Sequence, residues 1–259
     1  MSPPAFRLWP AGVNPWHGAH ASPGSRTETM YRRTRIAILL SCLFFVAATG
    51  AAMLDYPGGT HLDPDTEGYR FFDNTFSELG RTEGYHGEDK LVGFVLFMLA
   101  TVVAGAGLIG FFAVEASDAM ANSGNRIAGT TAMWLGVVTG VGFMGIGLTP
   151  TDVVHDLHYA FVYTAFLAYI PSISALLAAW WTAADADRRR CRVKVWTYAL
   201  FLVALAAYFL LLALFRSAAL ETVHMVLTSG QKVIVYVALG VVAFICVDDL
   251  RRRPASGGR

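Results

Sequence analysis

Charged residues are scarce in this sequence. Asp, Glu, Lys and Arg make up only 15% of its 259 residues, whereas about a quarter of a typical soluble domain is charged. Hydrophobic residues make up 55% of the chain, and the mean hydropathy is +0.47. This composition excludes an ordinary soluble domain and predicts an integral membrane protein.

Cysteine and recognisable metal or nucleotide motifs are also scarce. The chain has three cysteines, of which Cys42 and Cys246 lie in apolar stretches, and no CxxC or HExxH pattern occurs. A disulfide framework and a zinc-protease site are therefore not predicted. Two GxGxxG patterns, beginning at Gly105 and Gly140, lie inside apolar stretches with no strand before them, so we expect close helix packing there rather than nucleotide binding.

Apolar stretches are abundant, and six of them are long enough for membrane helices. A bilayer core of roughly 30 Å needs about 20 apolar helical residues. The stretches are residues 36–54, 91–114, 127–148, 157–181, 195–215 and 233–247. The sixth is short, and we expect its helix to begin near Leu220. The predicted fold is an all-α bundle of six transmembrane helices.

The two ends of the chain differ from this membrane domain, which we place at residues 30–250. Residues 1–29 are rich in Pro, Gly, Ser and Ala and predict a disordered tail, while residues 251–259 form a basic tail. Met30 precedes the first apolar stretch and is a plausible alternative start. A genuine cytoplasmic tail that includes His17 and His20 is the competing interpretation.

Basic residues predict the orientation of the bundle. Thirteen lie on the side that holds both ends of the membrane domain: Arg32, Arg33, Arg35, Arg126, Arg188, Arg189, Arg190, Arg192, Lys194, Arg251, Arg252, Arg253 and Arg259. Five lie on the other side: Arg70, Arg81, Lys90, Arg216 and Lys232. Because short cytoplasmic loops are enriched in Lys and Arg, we expect both termini in the cytoplasm of a cell-membrane protein.

The longest polar interruption, residues 69–90, lies between the first two apolar stretches, and we call it the lid. Within it, Phe76-Ser77-Glu78-Leu79-Gly80 predicts one short helical turn that a glycine ends. Phe71, Phe72 and Phe76 are expected to press this turn onto the outer end of the bundle. The sequence thus predicts a cover over that end, with Ser77 and Glu78 as candidate binding residues.

Five of the seven histidines fall in or beside the outward loops. They are His61, His86, His155, His158 and His224. A shared site is one interpretation of this one-sided placement, and chance is the other. His155, His158 and His224 are weak candidates for metal ligands, because an i, i+3 pair of histidines is a poor metal-binding spacing. The sequence identifies no cofactor.

The start of the fourth helix carries a polar stripe. Thr149 is expected to cap this helix, with Pro150 at its first position and Asp152 in its first turn. Asp152, His155, Asp156, Tyr159 and Tyr163 then share one face at 100° per residue, while His158 points elsewhere. The stripe predicts either a site that includes Asp152 and His155 or, for the tyrosines, an anchor at the membrane interface.

The sixth helix carries a second polar face. It comprises Glu221, His224, Thr228, Gln231 and Lys232 within an arc of about 100°. Because a charge at the bilayer centre costs roughly 3 kcal/mol, Lys232 is expected to face the bundle and pair with a carboxylate. Snorkelling of Lys232 to the interface is the alternative. With the stripe of the fourth helix, this face predicts an outward polar pocket that includes Glu221, His224 and Lys232.

Two short motifs suggest a family. Asn74-Thr75-Phe76-Ser77-Glu78-Leu79-Gly80-Arg81 follows the first span, and Gly147-Leu148-Thr149-Pro150-Thr151-Asp152, with His155 after it, joins the third and fourth. In these segments the chain resembles the six-span prokaryotic membrane proteins grouped as domain of unknown function 998, and more distantly the DRAM-like membrane proteins. The resemblance covers about residues 36–250. It implies a six-helix bundle with an outward polar site, and it lends Ser77, Asp152 and His155 importance without roles.

Two classes of function fit these patterns. The favoured one is a membrane protein that binds a lipid headgroup, a small solute or a membrane partner in the outward pocket. The alternative is a membrane-embedded hydrolase, metal-dependent or serine-based, that acts on a lipid or lipid-linked substrate at the outer leaflet. Membrane lipids are the predicted partners, and no nucleic-acid partner is predicted.

Overall fold

The computed structural model describes residues 26–183 and 188–252. Six long helices fill these ranges: α1 (Arg26–Leu54), α2 (Leu91–Ser123), α3 (Arg126–Leu148), α4 (His155–Trp181), α5 (Arg188–Phe215) and α6 (Leu220–Arg252). All six contain a stretch long and apolar enough to cross a membrane. The described residues contain no β-strand. The predicted all-α, six-span architecture is confirmed, and the chain is built as a multi-pass membrane protein.

The helix ends depart from the apolar stretches in instructive ways. Helix α6 begins at Leu220, as expected from its short apolar run. Helix α4 begins at His155, so the predicted cap at Thr149 is wrong. The Thr149 hydroxyl donates to the Gly145 carbonyl 2.7 Å away and so completes the last turn of α3. The predicted tails lie mostly outside the described residues, as does much of the loop before α5.

Glycines let α2 and α3 approach closely, as their spacing predicts. A methyl group built on Gly105 would lie 2.5 Å from the carbonyl oxygen of Gly140. One built on Gly140 would lie 2.6 Å from the carbonyl oxygen of Gly105. Backbone contact of this kind is a common way for helices to pack in lipid, where no hydrophobic driving force acts between them.

The helices run alternately up and down, which gives the bundle two ends. The lid end carries residues 69–90, the C-terminal ends of α1 and α3, and the N-terminal ends of α2, α4 and α6. The arginine end carries the start of α1, the end of α2, the start of α5 and the end of α6. An apolar core that includes Phe111, Phe112 and Ile173 lies between polar groups at both ends.

Candidate functional site

The lid covers one end of the bundle through its predicted turn. Ser77–Gly80 forms one turn of 3₁₀ helix, and all four of its residues are buried. Phe76 is 5% exposed and its ring lies 5.9 Å from Phe45 on α1 and 5.6 Å from Tyr236 on α6. Phe72, by contrast, is 60% exposed, so the prediction that it presses on the bundle is wrong. Phe76 therefore anchors the lid.

A serine and a histidine meet directly beneath this turn. Ser77 Oγ lies 2.8 Å from His158 Nε2, and His158 Nδ1 lies 2.7 Å from the carbonyl oxygen of Thr149. His158 is completely buried and Ser77 is 7% exposed. The lid thus supplies the serine, α4 supplies the histidine, and the end of α3 orients the imidazole ring.

The carbonyl contact determines the tautomer of His158. A carbonyl oxygen can only accept a hydrogen bond, so Nδ1 carries the proton and donates to Thr149. Nε2 of the neutral ring is then an acceptor that faces the Ser77 hydroxyl. This is the arrangement in which an imidazole can take a proton from a serine.

Glu78, the neighbour of Ser77, has its hydrogen bonds inside the lid. Its Oε2 accepts from the backbone N–H of Thr75 at 2.5 Å and from Asn74 Nδ2 at 3.2 Å, and its Oε1 accepts from the Tyr85 hydroxyl at 2.6 Å. Lys90 Nζ donates to the Glu78 carbonyl at 2.5 Å. Burial, together with nearby Arg81, lowers the pKa of the Lys90 ammonium to about 8. Glu78 therefore holds the turn in shape.

The polar face of α6 binds the lid backbone. Thr228 Oγ1 donates to the carbonyl of Phe72, and Lys232 Nζ donates to that of Asn74. His224 Nε2 lies 2.7 Å from the carbonyl oxygen of Asp73. Gln231 Oε1 accepts from the backbone N–H of Phe76 at 3.3 Å. Four contacts thus join one helix face to four lid residues, and we call this set of contacts the lid seam.

Lys232 is completely buried, which confirms that it faces the bundle. Its predicted carboxylate partner is not found, because no Asp or Glu of the described residues lies within ion-pair distance of Nζ. Besides the Asn74 carbonyl, its nearest partners are the faces of Phe71 and Tyr69, with Nζ 5.0 and 5.6 Å from the ring centres. The Lys232 ammonium is therefore stabilised by the carbonyl dipole of Asn74 and by the faces of two aromatic rings.

The predicted α4 stripe separates into residues with different roles. Asp152 precedes the helix and accepts from the backbone N–H groups of Thr82 and Glu83 at 2.8 and 3.1 Å. Burial opposes the effect, but these donors and the Thr82 hydroxyl lower the pKa of Asp152. His155 and Asp156 are exposed. The side chain that points into the bundle is instead His158, which the sequence analysis placed away from the polar face.

The other predicted site residues do not gather around the serine. Glu221 is exposed at the start of α6. The His155 ring lies against Tyr159 with ring centres 4.7 Å apart and planes tilted by 51°, and His224 stacks on His61 with ring centres 6.4 Å apart. The structure does not bring His155, His158 and His224 together as metal ligands. Of the described residues, only Glu115, Asp118 and Asp249 are grouped closely enough to share an ion.

The space beside Ser77 is small. A cavity of about 30 Å³ lies between the lid and the helices, and Ser77, Thr101 and Gln231 contribute its polar edges. Phenylalanines form most of the remaining wall. A cavity of this size holds about a water molecule or two. With the lid in this position, no headgroup or acyl chain reaches Ser77.

Sequence reasoning missed a second polar centre, at the arginine end. Six ionisable side chains from four helices meet there, and we call them the charge cluster: Arg35, Glu115, Asp118, Arg190, Lys194 and Asp249. Their side chains are at most 9% exposed. Lys194 Nζ lies 2.7 Å from Glu115 and 2.9 Å from Asp249, and Arg190 lies 2.7 Å from Asp118.

The charge cluster is balanced and internally bonded. Three carboxylates face three cations, and the hydroxyls of Tyr31 and Tyr198 donate to the carboxylates at 3.1 and 2.8 Å. The carboxylates that could share a metal ion are thus occupied by the chain's own cations. Helical spacing was the available signal, since Glu115 and Asp118, and likewise Arg190 and Lys194, lie one turn apart.

Comparison of the chain with protein-family models, with curated proteins and with solved structures finds no match.

Proposed function

We propose that the chain is a membrane-embedded serine hydrolase that cleaves an ester of a lipid or lipid-linked substrate in the leaflet at the lid end. The observation that carries the proposal is the Ser77 Oγ to His158 Nε2 distance of 2.8 Å, with the imidazole oriented by the Thr149 carbonyl. A buried serine and histidine in this tautomer are the essential parts of a nucleophile and its base.

The reaction follows from these two side chains. Ser77 Oγ attacks the ester carbonyl carbon while His158 Nε2 takes the hydroxyl proton. The C–O bond to the alcohol then breaks, and the imidazolium returns the proton to the leaving oxygen. Water, activated by the same imidazole, attacks the acyl-serine and releases the carboxylic acid. Gln231, whose side chain lines the same cavity, carries an amide N–H₂ group that is a candidate donor to the oxyanion.

Substrate entry requires movement of the lid. The cavity beside Ser77 is far smaller than an acyl ester, and the lid seam and Phe76 hold it closed. The seam consists of side-chain contacts to the lid backbone, so it can open without unfolding a helix. We propose that a lipid headgroup competes for the His224 and Thr228 contacts and moves lid residues 72–73 outward, while Phe76 keeps Ser77 against His158.

Binding without catalysis is the second candidate, and Lys232 favours it. Its ammonium is completely buried with a carbonyl as its hydrogen-bond partner and no acidic partner within the described ranges. Such a group suits the phosphate or carboxylate of a lipid headgroup or small solute. In this case Ser77 and His158 fasten the lid. We also propose that the chain is related to the proteins grouped as domain of unknown function 998, on the strength of its two short motifs, and that both termini are cytoplasmic, on the strength of the distribution of basic residues.

A fluorophosphonate probe separates the two candidates, because it modifies only an activated serine. Purified full-length protein in mild detergent should gain one probe mass, which maps to Ser77. Ser77→Ala should abolish the adduct, and His158→Gln should slow labelling by at least about 100-fold, since general-base catalysis supplies roughly 10²–10⁴.

Ser174→Ala is the matched control, because this serine lies on the exposed side of α4 and donates only to its own helix. Its labelling should equal that of the wild type. A protein that stays unlabelled after the lid seam is weakened by Thr228→Val would contradict the hydrolase and leave binding as the function.

A further inference from the structure

A second cavity adjoins the one beside Ser77. We call the cavity beside Ser77 the serine cavity and the second one the deep cavity, and each has a volume of about 30 Å³. Phe143, Phe166 and Val235 line both of them. The rings of Phe143 and Phe166 lie 6.3 Å apart, centre to centre. The two cavities therefore meet at a shared wall of two aromatic rings and a valine.

The lining residues show that the deep cavity extends away from the lid. Helix α4 runs inward from the lid end, and along it Val162 lines the serine cavity, Phe166 lines both cavities and Ile170 lines the deep cavity. Helix α2 runs in the same direction, with Phe97 at the serine cavity and Leu108 at the deep one. At 1.5 Å per residue, the stretch of α4 from the first cavity to the second is about 12 Å long.

The polarity of the walls changes from one cavity to the other. Ser77, Thr101 and Gln231 give the serine cavity its polar edges. The wall of the deep cavity consists of alanine, aliphatic and aromatic side chains from five helices, and no polar atom of that wall is accessible. A lipid ester changes in the same order, from a polar ester group to a hydrocarbon chain.

Helix α5 is the wall of the deep cavity that can make room for such a chain. A cavity of about 30 Å³ holds only a water molecule or two, so a wall must move when a chain enters. In the apolar window of α5 17% of the residues are buried, against 28–44% in the other five spans. Helix α5 contributes Leu205 and Phe209, and Phe209 is 49% exposed. Outward movement of α5 therefore breaks few buried contacts.

We propose that the deep cavity binds the acyl chain of the ester that Ser77 attacks, an inference that rests on the proposed function. The ester carbonyl lies at Ser77, the chain on its carbonyl side passes Phe143 and Phe166, and the alcohol with its headgroup stays at the lid. Because this chain remains attached to Ser77 in the acyl-enzyme, the cavity orients it through both halves of the reaction. The substrates are therefore esters of long, unbranched acyl chains.

Two phosphonofluoridate probes test the acyl site, one with an ethyl and one with a decyl group on phosphorus and both with the same methoxy group. Ser77 Oγ forms a bond to phosphorus, fluoride leaves, and His158 takes the hydroxyl proton. The alkyl group on phosphorus then occupies the place of the acyl chain. In the full-length protein in mild detergent, the decyl probe should label Ser77 at least about tenfold faster than the ethyl probe.

Filling the deep cavity should remove this preference. Ala238 lines the deep cavity but not the serine cavity, so Ala238→Phe should bring the ratio of decyl to ethyl labelling to about one. Val237→Phe is the matched control, because its neighbouring side chain on α6 is 41% exposed and lines neither cavity. It should keep the wild-type ratio. Because both probes are measured on the same protein, loss of the fold is recognised by the loss of both rates.

If Ala238→Phe does not fold, a decyl probe with a photoreactive diazirine at the end of its chain decides on the wild-type protein. After labelling of Ser77 and irradiation, the cross-links should map to residues of the deep cavity such as Ile170, Phe209 and Leu239. Cross-links to lid residues or to Val237 would overturn the proposal.

The outcomes separate this inference from the hydrolase itself. An equal decyl preference in Ala238→Phe and wild type would mean that the probe partitions into detergent micelles, and equal labelling by the two probes in wild type would mean that no chain is bound. Either result overturns the acyl site and leaves the hydrolase standing. No labelling of Ser77 by either probe, even with the lid seam weakened by Thr228→Val, overturns both.

Discussion

Replacing Glu115 with Gln should destabilise the bundle far more than its size suggests. Glu115 accepts from Arg35, from Lys194 at 2.7 and 2.8 Å, and from Tyr198 at 2.8 Å, and it is completely buried. Gln has nearly the same shape, so no cavity forms. The charge cluster, however, changes from three cations and three carboxylates to three cations and two carboxylates.

The magnitude follows from the burial of the unmatched charge. Breaking a buried ion pair on one side costs about 3–5 kcal/mol. At about 2–4 °C per kcal/mol, the melting temperature in detergent should fall by roughly 6–20 °C. Adding Lys194→Met restores two cations against two carboxylates and should recover more than half of that loss. Circular dichroism at 222 nm follows the unfolding of the helices directly.

The control combines Glu115→Gln with Lys232→Met, which removes a cation at the opposite end of the bundle. These effects should add to within about 0.5 kcal/mol, because the two sites share no partner. A loss of less than about 1 kcal/mol in Glu115→Gln, or a further loss when Lys194→Met is added, would contradict an unmatched buried charge in the cluster.

Three further predictions concern the lid. Gly80→Ala should cost about 1–3 kcal/mol, because its methyl group would lie 2.7 Å from the Phe97 ring, whereas Gly50→Ala, with open space around it, should be neutral or better by melting temperature. The pKa of Lys90 is about 8 in the folded protein and 10.5 in the unfolded chain, so the unfolded chain binds more protons between these two pH values. The contribution of Lys90 to stability should therefore rise with pH across that range. Lys90→Met should flatten this part of the plot of unfolding free energy against pH, and an unchanged plot would contradict the lowered pKa of Lys90. Lys232→Met should speed hydrogen exchange at lid residues 74–77, and its stability effect should add to that of Asp152→Asn, since the two side chains bind different parts of the lid; non-additivity would restore the carboxylate pairing that the structure lacks.

Features that depend on local pattern were predictable from the sequence. Apolar length gave the six helices, the Ser77–Gly80 turn followed from its glycine, and spacing placed Gly105 against Gly140. The inward position of Lys232 followed from the cost of exposing a charge to lipid. In each case one segment and one physical rule were sufficient.

The inward side of α4 was not predictable in this way. The prediction of a site along the polar face from Asp152 to Tyr163 rested on the assumption that polar residues near the start of a helix point into the bundle. At the end of a span, water satisfies polar groups equally well, so His155 and Asp156 are exposed. His158 is buried because Ser77, about eighty positions away in sequence, and the Thr149 carbonyl satisfy both ring nitrogens.

The charge cluster escaped prediction for a related reason. Arg35, Arg190 and Lys194 lie near span ends, where basic residues usually indicate orientation or reach the interface. Their pairing with Glu115, Asp118 and Asp249 depends on how four helices are oriented relative to one another. No single segment contains that information.

Turnover of a lipid ester tests the proposed function most directly. Protein reconstituted into vesicles of ester-linked phospholipids should release free fatty acid, with vesicles of ether-linked lipids as the blank. Release should be lost in Ser77→Ala and kept in Ser174→Ala. Equal release from wild type and Ser77→Ala, or none above the blank when the lid seam is weakened by Thr228→Val, would contradict a hydrolase built on Ser77 and His158.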